Sequence, residues 1–140
     1  MPGTQLELTT AWAAGGGFEY FWTRNFSSTV YGGYTRTEYN ANASAMICSR
    51  VSHSGACDPN FSIWGIGTHH DWFPVAGLRF AVDVMYTGVD TAFGGQTITV
   101  GSTGTQLRPT GARPTGAYLA QDLGILTLAF RAQRTWGGGD

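Results

Sequence analysis

The sequence predicts an all-β fold, a meander of long antiparallel strands of the kind that crosses a bilayer as part of a barrel wall. Three observations carry this prediction. Apolar and polar residues alternate with period two over stretches of about 11 to 14 residues, enough to cross a bilayer when tilted. The connections between those stretches run short, long, short, long, as in barrels of the outer-membrane type. Charged residues are 12% of the 140, about half the share usual in soluble domains, yet mean hydropathy is only -0.10. Thr, Ser, Gly, Asn and Gln carry the polarity, which suits a sheet with one apolar face and one uncharged polar face.

The first strand is read over Trp12 to Trp22, with Phe18, Tyr20 and Trp22 on one face and Glu19 on the other. A turn at Thr23 to Asn25 leads to the second strand, Phe26 to Tyr39. Its Gly32-Gly33 pair suggests a bulge that shifts register. Residues 40–60 form a long polar loop. The third strand, Phe61 to Trp72, places Trp64, Ile66 and Trp72 opposite Gly65, Gly67, His69 and Asp71. The turn Phe73 to Gly77 is punctuated by Pro74 and Gly77. The fourth strand, Leu78 to Val89, alternates most cleanly. Leu78, Phe80, Val82, Val84 and Tyr86 face one way, and Arg79, Ala81, Asp83, Met85 and Thr87 the other. Residues 90–121 are rich in Gly, Thr and Pro, with a short hairpin arm expected at QTITV. The fifth strand, GILTLAFRAQRTW, sets Leu126, Leu128, Phe130 and Trp136 against Thr127, Ala129, Arg131 and Gln133. No window shows sustained helical periodicity. Residues 1–140 are read as a single partial barrel domain, with 1–11 as a lead-in.

The aromatics Trp12, Tyr20, Trp22, Tyr34, Trp72, Tyr86 and Trp136 stand at strand ends, where the two interfacial girdles of a membrane barrel belong. Arg134 falls on the apolar face. Two residues from the strand end it costs only ~0–1 kcal/mol, against ~2–4 at the bilayer midplane. Arg79 and Asp83 are two same-face steps apart, roughly 13 Å at strand rise, so their ion partners are expected on neighbouring strands. His69 and His70 point to opposite faces and do not chelate one ion together.

Cys48 and Cys57 lie in the polar loop. A short disulfide there stabilises by somewhat less than ~3 kcal/mol and belongs to an oxidising compartment. Zinc held by Cys48, His53 and Cys57 is the alternative; it lacks a clear fourth ligand and the tight spacing of zinc motifs, and no metal site is assigned. No cofactor is expected either. No nucleophile-elbow, phosphate-loop or HExxH motif occurs, and the carboxylates suggest no acid–base pair, so an enzyme is not expected. The net charge of -1 gives no electrostatic case for nucleic acid. MPGTQLELTT has neither the basic nor the apolar segment of a signal peptide.

Three stretches resemble the C-terminal part of the alphaproteobacterial general porin family. They are AWAAGGGFEYFWTRNFSSTVYGGYTRTEYN, FSIWGIGTHHDWFPVAGLRFAVDVMYTGVDTAFGG and the closing GILTLAFRAQRTW. The resemblance runs from about Trp12 to Trp136, with 137–140 as a tail outside it. It implies a 16-stranded, homotrimeric barrel in the outer membrane of a Gram-negative bacterium, of which this chain supplies about the last five strands. The barrel passes ions and small hydrophilic solutes passively and contacts outer-membrane lipid. In such a barrel Glu19, Arg79, Asp83 and Arg131 line the pore; otherwise they are simply a solvated polar face. The other readings are a small closed barrel that binds or anchors, and an inactive truncated chain.

Overall fold

The computed structural model describes residues 8–100 and 116–136. Five long strands form one sheet: β1 (Thr10–Thr23), β2 (Phe26–Glu38), β4 (Phe61–Val75), β5 (Leu78–Asp90) and β8 (Leu123–Arg134). Between them lie α1 (Ala41–Arg50), β3 (Ser52–His53), β6 (Thr97–Val100) and β7 (Gly116–Leu119). The sheet order is β1-β2-β4-β5-β8, a meander of successive antiparallel neighbours. The three short strands make a second sheet, β3-β6-β7. The short strands described in the long connections therefore do not join the five long ones to close a small barrel. They form a separate sheet.

The five-stranded sheet has no core on either face. Ala81 and Phe93 are the only buried hydrophobic residues among those described, and Phe93 is not in this sheet. Leu126, Leu128 and Phe130 are about 70% exposed. Both outer strands, β1 and β8, are exposed along their whole length. A single layer of this kind depends on its backbone ladder and on the media that its two faces meet.

Turn chemistry sets the register. Arg24 and Asn25 join β1 to β2, and Ala76 and Gly77 join β4 to β5. Gly77 has φ +74, the left-handed conformation that glycine adopts without steric cost. The Gly77 carbonyl also accepts from Thr135 N–H at 2.8 Å, which ties β8 to the same end. β2 runs unbroken through Gly32-Gly33. Tyr31 lies against Gly17 and Gly33 against Gly15, two residues apart on each strand, so one register runs through the glycine pair and the expected bulge is absent. β4 continues through Pro74 to Val75. Phe73 N–H donates to Asn25 O in the β1–β2 turn at 2.8 Å, and among the described residues no strand lies beyond that turn to need an N–H from residue 74.

Contacts divide the chain into two compact units. One holds Ala13–Tyr34, Ile63–Gly88 and the segment from Gly124 on. The other holds Thr35–Ser62 and the described parts of Met1–Trp12 and Val89–Leu123. In this second unit α1 replaces the loop expected over 41–50. The helix buries no residue, so it needs no apolar stripe, which is why periodicity does not reveal it. Asn40 caps it by accepting from Ala43 N–H at 2.8 Å. Strand β6 pairs Thr99 with Ser52 and Ile98 with His53 on one side, and Ile98 with Tyr118 on the other. Residues 1–7 of the lead-in, 101–115 of the long segment and the tail 137–140 lie outside the described residues.

Candidate functional site

The two faces of the large sheet carry different chemistry. On one face aromatic rings run from strand to strand. Phe26 stacks on His70 at 6.3 Å, Trp72 on Phe80 at 5.7 Å, and Phe80 on Phe130 at 6.3 Å. With Val82, these residues line a shallow cavity of about 330 Å³. A second aromatic contact, Trp64 with Tyr86 at 5.6 Å, lies further along the same face. Trp64 and Trp72 are eight residues apart on β4, and so are Phe26 and Tyr34 on β2. At strand rise that is ~26 Å, or roughly 20 Å once the strands tilt, close to the ~25 Å apolar band of a membrane barrel. Between the two rows stand Val30, Ile66 and Leu126, all exposed.

Of the expected girdle, Trp72 and Tyr86 stand in these rows. Trp22 and Tyr20 form an edge-on pair at 4.8 Å on β1. Trp22 Nε1 donates to Ser28 Oγ at 3.0 Å, and Ser28 Oγ lies 2.8 Å from His70 Nδ1. Trp136 receives the Arg134 guanidinium over its ring at 5.2 Å. Phe26, Phe80 and Phe130 complete the row, beyond the seven aromatics expected in the girdle. The signal for them is that each shares a face with a predicted belt residue at matching depth.

The opposite face carries the ionisable groups. Arg79 grips Asp71 with two bonds, Nε to Oδ1 at 2.6 Å and Nη2 to Oδ2 at 2.8 Å. His69 bridges two carboxylates: Nε2 lies 3.1 Å from Asp71 Oδ2 and Nδ1 lies 3.1 Å from Asp83 Oδ2. Tyr31 donates its hydroxyl to Asp83 Oδ1 at 2.7 Å. Arg79 also lies over the Phe73 ring at 5.7 Å. The result is one connected network across β2, β4 and β5. Asp71 is its buried centre, with a side chain 10% exposed, whereas Arg79, His69 and Asp83 are about one-third exposed. Among the described residues no buried side-chain polar atom lacks a partner.

Glycine makes room for this network. A Cβ on Gly67 would meet the Tyr31 ring, at 2.7 Å from its Cζ. The ring therefore lies across the glycine, which brings its hydroxyl over to Asp83. Glu19 on β1 is within electrostatic reach of Arg79. Arg131 is exposed on β8 and points away from the face of its neighbour Phe130. Period-two alternation puts Arg79 and Asp83 on this face, but it does not identify Asp71, His69 and Tyr31 as their partners.

In the second unit Cys48 and Cys57 are joined by a disulfide, with Cα atoms 5.9 Å apart. Gln96 clamps the same loop. Its Oε1 accepts from Gly55 N–H at 3.1 Å, and its Nε2 donates to the Ala56 carbonyl. His53 stacks on Phe93 at 6.0 Å.

A meander with an aromatic-banded apolar face and an ion-paired polar face is the wall of a transmembrane β-barrel. A family model described as a porin subfamily matches residues 1–108, well over half of the chain, and the chain belongs to this porin family. The match takes in the first eleven residues, which the resemblance left out, and stops short of the closing strand, which it included. No curated protein and no solved structure matches the chain. Porins are channels rather than enzymes, and this is a porin-type outer-membrane channel protein.

Proposed function

We propose that the chain forms a five-stranded sector of a larger porin barrel, through which ions and small hydrophilic solutes diffuse passively. The observation that carries this reading is the division of one sheet into a banded apolar face and a charged polar face, while among the described residues neither outer strand has a partner on its open edge. In lipid an unpaired strand edge is costly, because each open N–H or C=O forfeits a hydrogen bond with no water to replace it. Further strands therefore flank β1 and β8. In a five-strand antiparallel meander the two outer strands run the same way, so a ring made only of such sectors needs parallel seams. An even-numbered antiparallel barrel needs an odd number of additional strands between β8 and β1.

In this reading Glu19, Arg79, Asp83 and Arg131 face the water-filled lumen. Arg79 and Asp83 do so as members of a fixed network, so the field at the wall comes from the whole cluster. The apolar face meets outer-membrane lipid of a Gram-negative cell, and the working assembly is a homotrimer. Planar-bilayer recording on protein purified from outer membranes tests this. Stepwise conductance in multiples of a unit event is the expected result. Purified trimers that insert and give no steps would rule the channel reading out.

A further inference from the structure

Three side chains in the second unit have a second chemistry available to them. Cys48 Sγ, Cys57 Sγ and a ring nitrogen of His53 all lie within 4.8 Å of one another. In the oxidised protein the two sulfurs are bonded to each other and unavailable. We infer that reduction of this disulfide converts the loop into a binding site for zinc or a similar thiophilic divalent cation, with Cys48, His53 and Cys57 as ligands.

The donor set is the first argument. Two thiolates and one imidazole suit a tetrahedral zinc ion, with the fourth position left to water. Zn–S bonds of about 2.3 Å in a tetrahedron put the sulfurs about 3.8 Å apart. The opened disulfide therefore has to spread, and the imidazole, within 4.8 Å of the sulfurs, has to close in for the three atoms to share one ion.

The orientation of His53 is the second. Its Nδ1 lies 2.8 Å from the Gly55 carbonyl oxygen. A carbonyl only accepts, so Nδ1 carries the proton and Nε2 holds the lone pair. Metal-bound histidines are commonly fixed in this way, by a backbone carbonyl on the other nitrogen. The Phe93 ring packed against the imidazole at 6.0 Å limits its rotation.

Each ligand also has an attachment besides the disulfide. Cys48 belongs to α1, which is capped by Asn40. His53 belongs to β3 and is paired with Ile98 of β6. The segment before Cys57 is held by Gln96 through Gly55 and Ala56. Opening the S–S bond leaves all three attachments in place.

The chemistry balances with a dithiol as reductant. Two electrons and two protons enter, the Cys48–Cys57 bond breaks, and the dithiol leaves as its own cyclic disulfide. Metal binding then displaces the two thiol protons to solvent.

Cobalt(II) tests this, as a coloured probe for a zinc site. The detergent-solubilised full chain is reduced with a dithiol, freed of it, and titrated with Co²⁺ alone. One cobalt per chain with a thiolate charge-transfer band is expected after reduction, and no such band before it. His53→Ala should weaken binding at least tenfold, and His70→Ala should leave it unchanged. Reoxidation of each variant to the Cys48–Cys57 disulfide shows that the loop is intact. The inference fails if the reduced protein shows no thiolate–cobalt band. It fails equally if reoxidisable His53→Ala binds as tightly as the parent, or if one cobalt bridges two chains. None of these readouts depends on conductance.

Discussion

The two compact units are held by different means, and the difference explains what each can do. In the unit built on the long strands, the backbone ladder and the period-two pattern decide nearly everything. Its side chains form no core, and their sorting between two faces replaces one. In the unit built from the long connections, individual side chains do the holding: the Asn40 cap, the Gln96 clamp, the disulfide and the Phe93 packing. The first unit depends on the media that its two faces meet. The second carries its own fastenings. The first therefore tolerates many substitutions that keep polarity, while the second is sensitive to single polar contacts.

The largest expected effect breaks the sorting of faces. Leu126 lies at the level midway between the two aromatic rows and Thr127 is its neighbour on the other face. Leu126→Arg should destabilise the inserted protein by ~2–4 kcal/mol, and Thr127→Arg by under ~1. Reversible denaturant unfolding from lipid vesicles measures both. Equal costs at the two adjacent positions would show that the faces are not divided between lipid and water.

Next in size is the disulfide. Replacing both Cys48 and Cys57 with serine should cost the second unit somewhat less than ~3 kcal/mol. Proteolysis should then cut within 41–60 while the long strands stay protected. Loss of protection along β4 or β5 would show that the two units do not open separately.

Asp71→Asn comes third. It leaves Arg79 without its charged partner and His69 with one carboxylate in place of two. Because Arg79 and His69 are about one-third exposed, the cost falls between that of a surface pair and a buried one, ~1–3 kcal/mol. The channel should also become more anion-selective, read as a shift in reversal potential across a salt gradient. An unchanged reversal potential would remove this cluster from the lumen wall.

These two units also differ in how much the sequence reveals. Five long strands, two tight turns and two long connections are legible because a single-layer sheet between two media must alternate at every residue. The same alternation puts His69, Asp71, Arg79 and Asp83 on one face. What alternation cannot supply is which of them touch, since that depends on register between strands. The two-residue turn at Ala76-Gly77 carries the missing information: it fixes β4 against β5 and so sets Arg79 diagonally across from Asp71. Tyr31 had a weaker signal, an aromatic ring on the polar face facing a glycine-rich strand. The small sheet and α1 were hidden for another reason. α1 buries no residue and so needs no apolar stripe, and the small sheet is assembled from short segments distant in sequence, clamped by bonds such as Gln96 to Gly55, which leave no periodic trace.

The smallest effect probes that hidden part directly. Asn40 accepts from Ala43 N–H and so satisfies one of the otherwise open donors at the start of α1. The helix buries nothing, so little tertiary packing compensates if the cap is lost. Asn40→Ala should cost α1 ~1 kcal/mol. That is roughly a fivefold faster amide exchange over Ala43 to Ile47, with exchange along β2 unchanged. Asn40→Asp keeps a cap oxygen at the positive end of the helix and should retain the protection. If alanine and aspartate behave alike, the cap does not hold this helix. The disulfide through Cys48 would then be its principal anchor, and reduction alone should unwind the segment that the cap leaves standing.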